Sequence, residues 1–341
     1  MGNLKKRKKK LYKKLYGKLL HRSRFVQLLD ALLFSSGIRR EIWSVFSGIR
    51  AHRENTGSLS GVVYKLRRNI HRLEKGLIMD PRRDIFALDY IEETVGAYIQ
   101  VSESTCSDSS QMKWFQDVLQ EYFFVAGPHA IIDVCRERFE SAVRSDCGDE
   151  KSVPLPRSSY LKSDVSFDQF LGLCRQRRSV RWYEDKTVPR ELIDQAIFSA
   201  AQSPSACNRQ PFEFRVFDES GKVQEIASIP MGTAGFTHQF PVIIVLVGKL
   251  NAYEFDRDRH IIYIDGSLAA MTFMLALETL GLSSCPINWP SLEKIETRMD
   301  IALGLKSYER PVMLMSVGYA KQSGKIPFSH KKNIEQLRKY N

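Results

Sequence analysis

Arg177, Arg178, Ser179 and Arg181 fall within five residues, and one short helix later comes the loop Pro204-Ser205-Ala206-Cys207-Asn208-Arg209-Gln210-Pro211. Arginine meets an oxyanion such as phosphate through a planar fork of N–H donors, a geometry that a merely solvated surface charge does not need. Arg177, Ser179 and Arg181 occupy alternating positions, so an extended segment projects them to one side. Asn208 and Gln210 carry carboxamides, which both donate and accept, as the edge of a heteroaromatic ring with alternating carbonyl and N–H groups requires. Either cluster alone also reads as a solvated basic patch or an ordinary polar loop. At the two ends of one helix they describe a ligand with an anionic tail and a flat polar head.

Other chemistry finds no support in the chain. No G-x-G-x-x-G, P-loop, G-x-S-x-G or H-E-x-x-H pattern occurs. The seven histidines are isolated from one another and from cysteine pairs, so no metal site is expected. Six cysteines without a C-x-x-C pair read as reduced thiols of a cytoplasmic protein. The net charge of +12 suggests nucleic acid until it is located: residues 1 to 24 hold eleven Lys or Arg and no acid, and the remainder carries forty basic against thirty-nine acidic residues. No specific nucleic-acid partner is therefore expected. The arm sets Leu4, Leu11, Leu15 and Leu19 among its lysines at near-helical spacing. It reads equally as a basic amphipathic helix on an anionic membrane, at the inner membrane surface, and as a solvated polybasic tail. No apolar run reaches spanning length, and no signal-peptide cleavage pattern follows the apolar patch at 25–34.

The elements that must position the two clusters follow from periodicity. Before residue 150 the spacing predicts helices only. One runs from Ser58 to Leu77 with Val62, Leu66, Ile70, Leu73 and Leu77 on a buried face; others cover IFALDYIEETVGAYIQV, KWFQDVLQEYFFV and HAIIDVCRERFESAV. The division expected is an arm over 1–24, a helical extension over 25–150, a polar linker over 151–165 and a second domain over 166–335. There Ser166 and Gln169 form a capping box that opens a helix to Gln176, and Pro189 opens the next. FEFRVFD alternates as a strand, while PVIIVLVGK and RPVMLMSVGYA read as fully buried strands. Asp265 is expected to cap a long apolar helix that ends at Gly281. The polar run NIHRLEKGLIMD, with His71, Arg72, Glu74 and Lys75, reads as a solvated helix terminus or as a functional edge.

The segment RRSVRWYEDKTVPRELIDQAIFSAAQSPSACNRQPFEFRVF resembles the opening of the FMN-dependent nitroreductase family, whose pattern runs R-R-S-x-R, a helix, P-S-x-x-N-x-Q-P and a strand. DGSLAAMTFMLALETLGLSSCPIN resembles that family's central helix and its exit, and VMLMSVGYA its last core strand. The likeness covers roughly residues 166 to 335. It implies an α+β fold, a mixed sheet flanked by helices, with an all-helical region before it. It also implies an FMN-dependent oxidoreductase that takes hydride from NAD(P)H and passes it through flavin N5 to a small aromatic or conjugated acceptor. Arg177, Arg178, Ser179 and Arg181 would hold the FMN phosphate and ribityl chain, and Asn208 and Gln210 the ribityl and pyrimidine side of the same flavin. Pro204, Ser205 and Ala206 would approach the flavin bound mainly by the other subunit of a homodimer. Pro286, Ile287 and Asn288 would lie at flavin N5, with the Asn288 main-chain N–H as donor. Ser329, Lys331 and Lys332 would complete the phosphate site. Phe212 stands where Trp is frequent in the family, GLSSC is poorer in glycine, and KIPFSHKKN has lysines in place of arginines. A flavin-fold adaptor on a membrane or polyanion, without turnover, is the alternative that the arm supports.

Overall fold

The computed structural model describes residues 28, 32–33, 35–54, 59–104, 109–143 and 151–341. The basic arm over 1–24 lies outside the described residues. Helix α1 spans Ser36–Glu54 and α2 spans Leu59–Leu77. Val62, Leu66, Ile70 and Leu73 of α2 are buried, as the steps of four and three require of one helix face. Helix α3, Ile91–Ser102, starts six residues after Ile85, where apolar periodicity begins. Ala87 stops it from extending backwards, because its left-handed φ of +64° breaks the ladder and its carbonyl takes the N–H groups of Tyr90 and Ile91. Helices α4, Ser109–Val125, and α5, Ala130–Glu140, complete the region. Helices α2 to α5 share one core around Tyr98, Phe115, Leu119, Tyr122 and Phe139. The hydroxyls of Tyr98 and Tyr122 donate to Gln116 Oε1 at 3.0 Å and to the Phe86 carbonyl at 2.9 Å, so neither is stranded.

Helix α1 belongs by packing to the rest of the chain. Val45 joins a cluster with Leu250, Ala252, Tyr253 and Ile262. Gly48 lets the backbones meet, since a Cβ there would fall 2.7 Å from Leu250 Cβ and 2.8 Å from its carbonyl carbon. Residues 151–165 are irregular apart from one turn of 3₁₀ helix at Arg157–Ser159.

Helix α6, Phe167–Gln176, opens on the reciprocal box between Ser166 and Gln169, with bonds of 2.8 and 3.2 Å. Pro189 is the residue just before α7, Arg190–Ala200. The sheet contains β1 (Phe212–Phe217), β2 (Val242–Lys249), β3 (Ser283–Asn288) and β4 (Glu309–Gly318), in the order β1-β2-β4-β3. These strands all pair antiparallel, and one isolated parallel bridge, outside them, joins Ser179 to Ser284 of β3. β3 was not expected as a strand. It is short and carries Pro286, which a central strand would reject, but it sits at the edge of the named strands.

Alternate residues of β2 feed two cores. Val242, Ile244 and Leu246 pack with α7 and with α9, Ile261–Thr279. Ile243, Val245 and Val247 pack with α8, Ser220–Ala227, and α10, Glu293–Leu303. The fold is thus α+β, a sheet flanked by helices, with an all-helical region before it; a short α11, Ile334–Leu337, follows. Helix α9 is long and apolar enough to cross a membrane by composition, yet Ala269, Ala270, Phe273 and Leu277 are fully buried against the sheet. It begins at Ile261, so Asp265 is not its cap. Gly281 takes the left-handed position after the helix, with φ +75°, and Leu282 N–H returns to the Leu277 carbonyl at 2.9 Å.

Candidate functional site

At the end of α6 the Arg177 N–H closes the helix on the Leu173 carbonyl, and the chain then turns extended. Val180 N–H donates to the Ser284 carbonyl at 3.0 Å, and Tyr183 anchors the far side through Ser316 Oγ at 2.8 Å. This docking against β3 gathers Arg177, Ser179 and Arg181 around the Cys285 thiol. Burial pushes that thiol up, while Arg181, Arg177 and a hydrogen bond with Ser179 pull the other way. Neither arginine has an ion-pair partner among the described residues. Arg177 Nε is buried without any hydrogen-bond partner, and the Arg181 guanidinium donates to the Ser179 carbonyl, at 3.4 Å, and lies 5.9 Å from the Phe236 ring. An unmatched buried guanidinium nitrogen, a second unpaired guanidinium and a hydroxyl fit the oxygens of a phosphate.

Arg178 turns elsewhere. Its Nη2 donates to the Pro327 carbonyl at 2.6 Å and also to the Phe328 carbonyl, and so tethers residues 327–332 beside the cluster. Ser329, Lys331 and Lys332 are exposed there, and Ser329 has a φ of +47°. Arg178 thereby positions the late basic segment.

The carboxamide loop is held from inside and from α9. Asn208 N–H donates to the Ser205 carbonyl at 2.9 Å, Gln210 N–H to Ser205 Oγ at 3.1 Å, and Gln210 Nε2 to the Ala201 carbonyl at 3.2 Å. Ala206 N–H donates to Asp265 at 2.9 Å, which is the task of that carboxylate in place of capping. Burial pushes the Asp265 carboxyl up, and the Ala206 N–H pulls it back. Cys207, Asn208 and Gln210 all have positive φ, between 50° and 53°. Left-handed backbone costs a non-glycine residue roughly 1–2 kcal/mol, and such positions gather where a site needs them. Of the five found among the described residues, four lie in this loop and at Ser329.

One chain does not bring the two clusters together. The loop hangs from Asp265 near the start of α9, whereas Gln176 donates to Glu278 near its end, at 3.2 Å, with Arg177 alongside. Thirteen residues of helix separate the anchors, or about 20 Å. Asn208 and Gln210 therefore lie with Pro204, Ser205 and Ala206, away from the Arg177 cluster of their own chain. Pro286, Ile287 and the exposed Asn288 continue β3 from Cys285; Asn288 lies three residues on, roughly 10 Å in an extended chain.

The helical region contributes contacts that periodicity did not reveal. Arg67 of α2 donates through Nε to the Asn208 carbonyl at 2.8 Å. Beside that contact is a cleft of about 310 Å³, lined by Arg68, Arg72 and Lys75 of α2 and by Ala206, Cys207 and Arg209 of the loop. In the polar run, His71 and Trp114 bond to Glu74 at 3.2 and 2.8 Å, so this part of it is structural.

The Nitroreductase family model matches residues 174–229 and 222–319. Iodotyrosine deiodinase 1 of Mus musculus is 24% identical over 218 residues, covering 54% of this chain and 74% of that protein. A Methanothermobacter thermautotrophicus protein assigned as an NADH dehydrogenase/NAD(P)H nitroreductase is 28% identical over 164 residues, covering 46% and 79%. Among solved structures, an FMN-dependent nitroreductase from Clostridium difficile R20291 aligns with a TM-score of 0.44 and 24% identity, over 50% of this chain and 99% of that one.

Proposed function

Because the chain belongs to the nitroreductase family, whose members are oxidoreductases, we propose that it binds FMN and passes hydride from NAD(P)H to a small conjugated acceptor. The observation that carries this reading is the buried, unpartnered Nε of Arg177 beside Ser179 and the unpaired Arg181. These three residues would hold the phosphate, and the segment tethered by Arg178 would add the charge of Lys331. The Asn288 main chain, farther along β3, would orient the flavin ring. FMN, when bound, supplies hydride transfer at its N5. No acid or base from the chain is needed for that scheme; its residues bind, orient and exclude water.

The site needs a second copy. The loop from Pro204 to Gln210 is about 20 Å from the Arg177 cluster of its own chain, as the span of α9 sets. A homodimer would bring the partner's loop onto the flavin. Ile264, Leu268 and Met271 form a stripe on α9 that is 40–52% exposed, and Phe198 of α7 is 73% exposed. A second copy covering that stripe accounts for apolar surface that water would otherwise face.

The wild-type protein should sediment as a dimer, absorb between about 350 and 500 nm, and lose that absorbance when NADH or NADPH is added without oxygen. Leu268→Arg buries an unpaired charge at the interface at a cost of several kcal/mol, so it should yield monomers depleted of flavin. A colourless wild-type protein that takes up no added FMN would end the flavin reading. A wild-type monomer that reduces bound flavin at full speed would end the shared-site reading.

A further inference from the structure

The flavin reading leaves the polar end of α2 without a task. Arg68, Arg72 and Lys75 follow one another at spacings of four and three, so they share one helix face. That face forms one wall of the 310 Å³ cleft, and Arg209 and Arg257 stand among its other lining residues. Two carboxylates, Glu254 and Asp258, oppose these five cations. Glu254 lies 3.8 Å from Arg68, and Asp258 3.9 Å from Arg257. Arg72 pairs with Asp89 at 3.1 Å and stacks on the Tyr90 ring at 3.6 Å. Lys75 has no carboxylate partner among the described residues, and Arg209 has only the more distant attraction of Asp265. Arg209 donates to the Ala206 carbonyl at 3.3 Å and lies 5.1 Å from the ring of Tyr253. The Tyr253 hydroxyl is buried near Asp265 without completing a hydrogen bond.

Cations crowded into so small a space repel one another, and an anion between them turns that repulsion into attraction. Three of the five cations have a carboxylate near them, and a lone carboxylate would still leave one of the other two unbalanced. Phosphate oxyanions carry more charge and match the arginine fork. We propose that this cleft binds a phosphate group of the small molecule that meets the flavin, and so selects phosphorylated reactants. The inference rests on the flavin reading, because the cleft shares Ala206 and Cys207 with the loop that would cover the partner's flavin. The phosphate belongs either to a phosphorylated nicotinamide donor or to the acceptor.

The experiment titrates the full-length, FMN-loaded protein with inorganic pyrophosphate at constant ionic strength, followed by calorimetry. Lys75→Gln and Arg257→Gln should each weaken binding about tenfold, the loss of one charge-assisted contact, with flavin absorbance unchanged. Pyrophosphate that raises the KM for NADPH alone places the 2′-phosphate of the donor in the cleft, and pyrophosphate that raises it for NADH as well places the donor's diphosphate there; if it competes with neither, the phosphate lies on the acceptor. Absence of pyrophosphate binding overturns the proposal, as does equal binding by Lys75→Gln. Failure of the flavin reading shows separately, as a protein that takes up no FMN.

Discussion

Arg177→Ala/Arg181→Ala protein is expected to purify folded but without FMN. Each guanidinium would give a phosphate at least one charge-assisted hydrogen bond, worth roughly 1.5–3 kcal/mol. Each single change should weaken FMN about tenfold or more, and the double change about a hundredfold or more, with some departure from additivity because both groups serve one anion. The fold should survive: neither side chain has an ion-pair partner to lose among the described residues, and Arg177 Nε has no acceptor at all. Removing it even relieves an unmatched buried donor. Arg178→Ala is the informative contrast. Its Nη2 holds the carbonyls of Pro327 and Phe328, so its loss should act through residues 327–332 and weaken FMN by less than either neighbour does. Equilibrium titration of the apoprotein with FMN, followed by flavin fluorescence, orders the three variants. If the double variant keeps its full complement of FMN, the phosphate lies elsewhere.

Patterns carried by single segments were legible, and those made by distant partners were not. β1, β2 and β4 announce themselves by alternation or by unbroken apolar runs, and Ser166 with Gln169 marks the start of α6 to the residue. β3 did not, because Ser283–Asn288 owes its extended form to pairing with β4 and contains a proline. Ala87 cut back α3 through a left-handed turn that side-chain periodicity does not encode. For the candidate site, the two clusters themselves could be picked out from residue types. Their separation could not, because it is set by the span of α9 between Asp265 and Glu278. Asp265 looked like a cap because it opens an apolar run; its true partner, Ala206 N–H, is 59 residues earlier. Arg68, Arg72 and Lys75 share a face by spacing alone, but only packing against the loop shows that this face borders a cleft.

Glu296→Ala should be among the most destabilising single changes in the chain, at about 3 kcal/mol, because it leaves the buried Arg310 only the partly exposed Glu41, 3.5 Å away, as a counter-charge. Glu296 is 1% exposed and Arg310 is 3% exposed, and they meet at 2.8 Å. Arg310 also donates to Ser44 and Ser291, each at 3.2 Å, while Trp289 donates to Glu296 at 3.2 Å. Arg40 of α1 reaches Glu296 and Glu293 at 3.2 Å and pairs with Asp300. The network thus locks α1, and through it the helical region, to α10 and β4. Glu293 is 54% exposed, so its bond to Arg40 is screened by water, and Glu293→Ala should cost no more than about 1 kcal/mol. Burial pushes the Glu296 carboxyl above its usual range despite the opposing pull of Arg310 and Arg40, so the ion pair does not offset its own desolvation. Replacing both members with apolar residues, Glu296→Leu with Arg310→Met, should therefore recover much of what the single change loses. Denaturant unfolding of the three variants decides the matter. Loss of the same size in the single and double variants would show that packing, not the stranded charge, sets the cost. An unchanged midpoint for Glu296→Ala would remove the network from the account of how α1 is held.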